Sequence, residues 1–240
     1  MDNRSAITAL GLENARVIAI IGGGGKSSLM AALGEEFRHR GETAVMTTTT
    51  HIRPPRRNGY MGDDAAVLCD LLITNRVMTV GMPAEEHKFG PSPLLERLPR
   101  LADRVIIEAD GTKGLPLKVP NEHEPVIPPF ADAVVAVAGL SALGQPLGRV
   151  CHRPELAALR FGLSPEEAVT PEIMARLLSS PLAQRKGVGD RPYAVLLNQA
   201  DAVPPGGADA VAAFLLQNGV QRVVAAALQH RPGEYHVWTR

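Results

Sequence analysis

Residues 16–28 read RVIAIIGGGGKSS, an apolar run followed at once by a cluster of glycines, a lysine and two serines. The apolar run predicts a buried strand of a parallel sheet. Leu29, Leu33 and Phe37 then recur at helical spacing. This helix is expected to end near Gly41, because glycine readily adopts the left-handed cap conformation. A strand, a glycine turn and a helix in this order are typical of the opening of a doubly wound α/β fold.

Apolar strand patterns alternate with helical ones along the rest of the chain. Strands are predicted at residues 43–49, 76–80, 104–107, 132–138, 193–197 and 222–226, and helices at 65–75, 94–101 and 208–216. Loops are predicted at 51–64, 85–92 and 111–130, which lack periodicity. Two helical patterns within 151–178 indicate a helical insertion at about 150–190, inside a single domain of residues 1–240. The expected fold class is α/β, with a P-loop NTPase-like, doubly wound, mainly parallel sheet flanked by helices.

The bulk composition favours a globular protein and excludes several classes of partner. The chain has 240 residues, 45% of them apolar, with 25 basic and 25 acidic side chains. Since the formal net charge is zero, no general field attracts nucleic acid. No apolar run reaches the ~18 residues that a membrane span needs, and the first residues lack the apolar segment of a signal peptide. Cys69 and Cys151 form no CxxC pattern, so reduced thiols and a cytoplasmic location are expected.

The glycine cluster predicts a phosphate-binding loop. Residues without a Cβ let backbone N–H groups converge on phosphate oxygens, and the following helix adds its free N–H groups and the positive end of its dipole. Lys26 is expected to reach the β- and γ-phosphates of a nucleoside triphosphate, and the Ser27 hydroxyl to bind Mg²⁺. The residues predicted to bind the nucleotide here are Gly22, Gly23, Gly24, Gly25, Lys26, Ser27 and Ser28.

This loop departs from the full Walker A pattern, G-x-x-x-x-G-K-[ST]. Ile20 stands where that pattern has its first glycine. The loop is therefore of the shorter G-x-x-G-K-S kind, which Mur ligases and some other P-loop proteins carry. An alternative interpretation is a glycine turn that only lets a strand pack against a helix.

Two carboxylates follow the apolar strand pattern of residues 104–107, in the sequence VIIEADG. A Mg²⁺–nucleotide site needs a carboxylate from a neighbouring strand to hold the ion or its water. Asp110 is the first choice because it lies nearest the strand end and precedes a glycine, and Glu108 is the second. The alternative is that one of the two only caps a loop. The predicted catalytic residues are Lys26, Glu108 and Asp110, and the predicted metal ligands are Ser27 and Asp110.

Two polar segments are predicted to contact a substrate. Thr49, Thr50 and His51 end the second predicted strand, which is expected to lie beside the glycine loop. Lys113 and Lys118 follow the two acids, where either could meet phosphate oxygens. The alternative for both segments is ordinary strand content and solvated loop lysines.

Residues 198–201 read NQAD after a late strand, at the place where GTPases carry N-K-x-D. In that motif the aspartate accepts hydrogen bonds from guanine, so Asn198 and Asp201 are candidates for a guanine pocket. Gln199 replaces the lysine and removes its packing over the base. A polar turn between a strand and a helix explains the segment equally well, so ATP and GTP both remain open.

Several strings together resemble the YqeC family, whose members are described as accessory proteins of selenium-dependent molybdenum hydroxylases. The matching strings are GGGGKSS at 22–28, TTTTH at 47–51, EADGTKGLPLK at 108–118, NEHEPVIP at 121–128, HRPE at 152–155 and NQAD at 198–201. The resemblance spans nearly the whole chain. It implies a P-loop nucleotide-binding protein linked to maturation of a molybdenum- and selenium-containing enzyme, with that enzyme or its molybdenum cofactor as a partner.

Three functions are compatible with these patterns. The first is a Mg²⁺-dependent protein that binds and hydrolyses ATP or GTP as an accessory factor in maturation of a molybdenum hydroxylase. The second is a small-molecule kinase or ATP-dependent ligase, in line with the short G-x-x-G-K-S loop. The third is a non-catalytic module that binds a nucleotide or a pterin cofactor.

Overall fold

A computed structural model of the protein describes residues 5–52, 54–55, 57–84 and 88–240. The strands are β1 Val17–Gly22, β2 Ala44–Thr48, β3 Gly59–Tyr60, β4 Val77–Val80, β5 Met82–Ala84, β6 Lys88–Gly90, β7 Arg104–Glu108, β8 Leu117–Lys118, β9 Ala133–Gly139, β10 Cys151–His152, β11 Tyr193–Asn198, β12 Arg222–Ala227 and β13 Arg231–Thr239. The helices are α1 Ala6–Leu10, α2 Lys26–His39, α3 Ala65–Asn75, α4 Leu98–Leu101, α5 Leu147–Val150, α6 Pro154–Phe161, α7 Pro171–Ser179 and α8 Gly207–Gln217.

A nine-stranded sheet forms the centre of the molecule, in the order β13-β12-β11-β9-β1-β7-β2-β4-β3. All neighbours pair in parallel except β12 and β13, which are antiparallel. The expectation of a mainly parallel sheet in an α/β fold is therefore confirmed. Two small pairs lie outside this sheet, β8 with β10 and β5 with β6.

Apolar side chains fill both faces of this sheet, and β1 contributes to both. Ile18 and Ile20 belong to a buried cluster that also contains side chains of α1 and α2. Val17, Ala19 and Ile21 point the other way, into a larger cluster with side chains of α3, α7 and α8. Side chains alternate along a strand, so a continuous apolar run is what a sheet with helices on both faces requires.

The strand order reverses at β1. From β1 the chain first builds β2, β4 and β7 on one side, and then β9, β11 and β12 on the other. In open α/β sheets, ligands bind in the crevice at the carboxyl ends of the strands where this reversal occurs. The glycine cluster directly follows β1 and therefore lies at that crevice.

One expectation about the sheet is wrong. The second predicted strand, β2, pairs with β7 and β4 rather than with β1. A later strand, β7, lies between β1 and β2, because the chain returns to the centre of the sheet after building its edge. As a result the two acids of the VIIEADG string, rather than the threonine run, belong to the direct neighbour of the glycine strand.

Three predicted loops and one predicted helix also differ in detail. The loop at 51–64 contains the edge strand β3, and the one at 111–130 contains β8. The segment 85–92 includes β6, while residues 85–87, like Arg53 and Arg56 in the first loop, lie outside the described residues. Of the helix expected at 94–101, only α4 forms. None of the described helices is long and apolar enough to span a bilayer.

Candidate functional site

The glycine cluster forms a tight loop between β1 and α2. Gly22 and Gly24 have φ angles of 90° and 73°, in the left-handed region where a side chain is strained. A Cβ on Gly24 would lie 2.2 Å from the backbone nitrogen of Gly139 at the end of β9. Only glycine allows the loop to approach β9 so closely.

The first amides of this loop are used inside the protein. The Gly22 N–H donates to both oxygens of Asp110, at 3.1 and 3.0 Å. The N–H groups of Gly23 and Gly24 donate to the carbonyls of Val137 and Leu115. These bonds fix the loop on the neighbouring strand β9 and on the segment that follows the two acids.

The next amides are different. In the described part of the chain, no group accepts a hydrogen bond from the N–H of Gly25, Lys26, Ser27 or Ser28. The first N–H groups of a helix have no partner within the helix, so they are available to an anion. Of the amides in the predicted phosphate-binding loop, those at the start of α2 are thus without a partner among the described residues.

The Lys26 side chain folds back beneath the loop. It is 5% exposed, and its Nζ donates to the Gly22 carbonyl at 2.6 Å. The same ammonium lies 3.2 Å from Asp110 Oδ1 and 3.5 Å from Glu108 Oε1. The fold therefore brings Lys26 and both predicted acids together.

Asp110 is completely buried and lies between two lysines. Besides the Gly22 amide and Lys26, it has Lys118 Nζ at 3.4 Å from its Oδ2. Lys118 is itself buried and donates to the Gly111 carbonyl and to Glu124 Oε2, at 2.5 and 2.9 Å. Its place beside Asp110 was not expected of a loop lysine.

The ion pairs continue beyond Lys118 to the region of the predicted helical insertion. Glu124 pairs with both Lys118 and Arg153, the residue just before α6. Burial raises the pKa of Glu124, but the two cations outweigh burial and hold the pKa below its usual value. A continuous set of ion pairs thus joins the glycine loop to α6.

Glu108 ends β7, where its backbone carbonyl accepts hydrogen bonds from the Thr48 hydroxyl and the Thr49 amide. Its side chain is almost fully buried, and its Oε2 has no hydrogen-bond partner among the described residues. Burial is the main reason that the pKa of Glu108 is raised, and the charge of Asp110 adds to it, while Lys26 and Lys118 act in the opposite direction. An unpartnered carboxylate oxygen in a buried position is costly unless a ligand or a cation completes it.

The serines of the loop lie at the surface of the site. Ser27 is exposed, and no described residue bonds to its hydroxyl. Ser28 accepts a hydrogen bond from the side chain of Gln229 at 3.3 Å. The Ser27 hydroxyl is therefore free to meet a ligand.

Asn198 lies against the loop from the side of β11. Its Nδ2 donates to the Gly24 carbonyl at 2.8 Å, and its Oδ1 accepts from the Leu228 amide at 3.1 Å. Asp201 pairs with His230 farther out, with its side chain partly exposed. Asn198 thus anchors the loop, whereas a guanine-binding role for Asn198 and Asp201 stays a prediction.

The other substrate candidates are spread more widely. The hydroxyls of Thr49 and Thr50 bond to the Val126 carbonyl and to Thr48. His51 is exposed, as is Lys113, which has a positive φ of 51° in the turn after the acids. The fold does not bring these side chains together with Lys26 and Glu108 in any contact between described residues.

Sequence patterns did not indicate roles for Glu124 and Arg153. Both lie in loop-like segments without periodicity, NEHEP and HRPE, and nothing local shows that they meet Lys118. The available signal is that both residues lie in polar strings by which the sequence resembles the YqeC family, NEHEPVIP and HRPE.

The donor set suits a magnesium ion that is brought with a phosphate ligand. The described residues contain no group of three or more His, Cys, Asp or Glu side chains that could hold a metal by themselves. Mg²⁺ usually keeps waters and takes only one or two carboxylates besides substrate phosphates. The free Ser27 hydroxyl and the unpartnered Glu108 oxygen are oxygen donors of that kind.

Comparison with known proteins identifies a family and a curated relative to which this chain is similar. The profile of the family described as YqeC protein matches residues 18–155. The curated relative is the Escherichia coli (strain K12) protein named "Uncharacterized protein YqeC". It is 33% identical over 182 residues, covering 72% of this chain and 71% of the relative. The matched family region contains the glycine loop, both acids, Lys118, Glu124 and Arg153.

Proposed function

The chain belongs to the YqeC family, and from this premise we propose that it is a P-loop NTPase that binds Mg²⁺ with ATP or GTP at the glycine loop. One observation carries the proposal. The unpartnered amides at the start of α2 lie directly beside a buried lysine, at the carboxyl edge where the strand order reverses. A helix N-terminus with a lysine of this kind is suited to the β- and γ-phosphates of a nucleotide.

Each residue of the loop has a separate part in this proposal. The amides from Gly25 to Ser28 bind phosphate oxygens, and Lys26 leaves the Gly22 carbonyl to meet the same phosphates. Ser27 offers its hydroxyl to the metal ion, and the acids at the end of β7 supply the carboxylate. Bound Mg²⁺ would neutralise phosphate charge, and the chain's part is to orient the phosphates and an attacking water.

The choice of base is proposed to depend on Asp201. This residue follows Asn198, the last residue of β11, so the NQAD string lies at the same edge of the sheet as the glycine loop. If the base is guanine, Asp201 accepts its hydrogen bonds after exchanging its partner His230. A preference for ATP would leave Asp201 without this role.

The biological role rests on the family resemblance alone. We propose that nucleotide hydrolysis acts as a switch in the maturation of a molybdenum hydroxylase or its cofactor, in the cytoplasm. The segment that follows the acids is suited to such a switch, because Leu115 binds the glycine loop and Lys118 binds Asp110.

The test is phosphate release from ATP and GTP with purified protein and Mg²⁺. Lys26→Ala should abolish turnover, and Ser27→Ala, which removes no contact between described residues, should reduce it. Arg38→Ala is the matched control, because Arg38 is an exposed cation near the other end of α2, where it pairs with Glu35. Thermal melting of each variant separates loss of activity from loss of fold.

The same assay distinguishes the alternative functions. Turnover that appears only when a small acceptor is added would indicate a kinase or ligase. Tight nucleotide binding without turnover, under Mg²⁺ and with a molybdenum hydroxylase present, would leave only the binding module.

A further inference from the structure

The two acids at the end of β7 differ in how many partners their carboxylate oxygens have. Asp110 has a partner for each oxygen, since the Gly22 amide contacts both, Lys26 contacts Oδ1 and Lys118 contacts Oδ2. Among the residues that the structure describes, Glu108 forms one ion pair, with Lys26 Nζ at 3.5 Å from Oε1. Its Oε2 is buried and has no hydrogen-bond partner in the described chain.

Nucleotide binding would increase this difference. If Lys26 moves to the phosphates, as proposed above, Asp110 keeps the Gly22 amide and Lys118. Glu108 then loses its one ion-pair partner among the described residues, which leaves Oε1 as well as Oε2 available to a ligand. A carboxylate left this way attracts a divalent cation more strongly than one that is already compensated.

The burial and the location of the two side chains support the same distinction between them. Asp110 is completely buried, and both of its oxygens are already bonded to the Gly22 amide of the loop. Glu108 retains slight exposure and ends the strand that neighbours β1, beside the first residue of α2. An unpartnered oxygen on a side chain more than nine-tenths buried indicates a site that a ligand completes.

We infer that Glu108, rather than Asp110, is the carboxylate that binds the magnesium ion of the nucleotide or its water, through Oε2. Asp110 is instead a positioning residue that fixes the loop at Gly22 and holds Lys26 and Lys118 in place. This inference rests on the proposed nucleotide site and reverses the order in which the sequence ranked the two acids.

The experiment is calorimetric titration of the full chain with ATP and with GTP, each with Mg²⁺ and with a chelator. The wild-type protein should bind more tightly with Mg²⁺. Glu108→Gln keeps the size of the side chain and should reduce that gain by about 10-fold, the value of one hydrogen bond to a charged group, while metal-free binding persists. Glu122→Gln, an exposed carboxylate, is the matched control and should retain the full gain.

A second readout does not depend on affinity. With Mn²⁺ in place of Mg²⁺, the electron paramagnetic resonance spectrum of the nucleotide complex should differ between the wild-type protein and Glu108→Gln, because one ligand or one hydrogen bond to a bound water is lost. An unchanged spectrum together with an unchanged Mg²⁺ gain would overturn the inference. A wild-type protein that binds nucleotide equally well with and without metal would also overturn it and would leave phosphate binding intact. Absence of any nucleotide binding would instead reject the proposed function itself.

Discussion

Two aspartates hold the central strand β1, one at each end, and their surroundings differ sharply. At the amino end, Asp132 accepts hydrogen bonds from the amides of Arg16 and Val17, at 2.9 and 2.8 Å, and is exposed. At the carboxyl end, Asp110 accepts the Gly22 amide and is completely buried between two lysines. The same kind of backbone contact is thus a surface cap at one edge and part of a buried ionic cluster at the other.

The polar groups of the two edges also differ in whether they have hydrogen-bond partners. A cavity of about 500 Å³ at the amino edge is lined by several residues, Arg191 and Arg222 among them. Yet Arg191 donates to the carbonyls of Pro129, Ala131 and Val188, and Arg222 to those of Thr8 and Ala9. At the carboxyl edge, by contrast, a carboxylate oxygen and several amides have no partner in the described chain. Unpartnered polar groups, more than cavity volume, distinguish the edge that is suited to a ligand.

The largest effect is expected from breaking the buried cluster with Asp110→Asn. The change leaves Lys26 and Lys118 without their shared anion and turns a donor toward the Gly22 amide. Removing one partner of a buried ionic set costs about 3–5 kcal/mol of unfolding free energy. Chemical denaturation measures it, with Asp132→Asn as the matched control. Equal losses for the two variants would contradict the contrast between the edges.

A smaller effect is expected for Asn198→Ala, which removes the side chain that joins Gly24 to Leu228. Leaving these two backbone groups without their partner costs about 1–3 kcal/mol. Because Asn198 holds the backbone of the loop at Gly24, we expect the affinities for ATP and GTP to fall by the same factor. Calorimetry on this variant and on Asn218→Ala, an exposed control, tests this. A selective loss of GTP binding would show that Asn198 contacts the guanine base.

At the amino edge, Arg222→Ala should reduce stability by about 1 kcal/mol, since Arg222 donates to two backbone carbonyls of α1. Nucleotide binding at the carboxyl edge should not change, because Arg222 bonds to no described residue of that edge. Parallel denaturation and titration experiments measure both quantities. Weaker nucleotide binding in a stably folded Arg222→Ala protein would mean that the two edges are coupled.

The smallest effect concerns pH and Glu124. Its pKa is lowered in the folded protein, although burial alone raises it, because Lys118 and Arg153 stabilise the charged form. A lowered pKa means that the stabilisation is complete above the unfolded-state value of about 4.3 and disappears as pH falls through the folded value. Glu124→Gln should therefore make the unfolding free energy depend less on pH in the acid range. The exposed Glu122→Gln should not, and identical curves for all three proteins would refute this role.

The sequence was most informative about candidate site residues that lie close together along the chain. The glycine cluster, Lys26 and the two acids were identified because a strand, a loop and a helix follow one another within a short stretch. The requirement for a carboxylate from a neighbouring strand directed attention to the two acids that follow residues 104–107. The departures arise from long-range topology. One departure is the position of β7 between β1 and β2, and another is the link from Lys118 to Glu124 and Arg153. No local sequence pattern predicts either of them, because the partners come together only in the completed fold.

The most direct test of the proposed nucleotide site is calorimetric titration of the wild-type protein with ATP, GTP and CTP, with and without Mg²⁺. Saturable binding of ATP or GTP, stronger with Mg²⁺ and lost in Lys26→Ala, is the predicted result. Absence of a binding signal with every nucleotide at millimolar concentration would contradict it, and the glycine cluster would then be a turn that only packs α2 against the sheet.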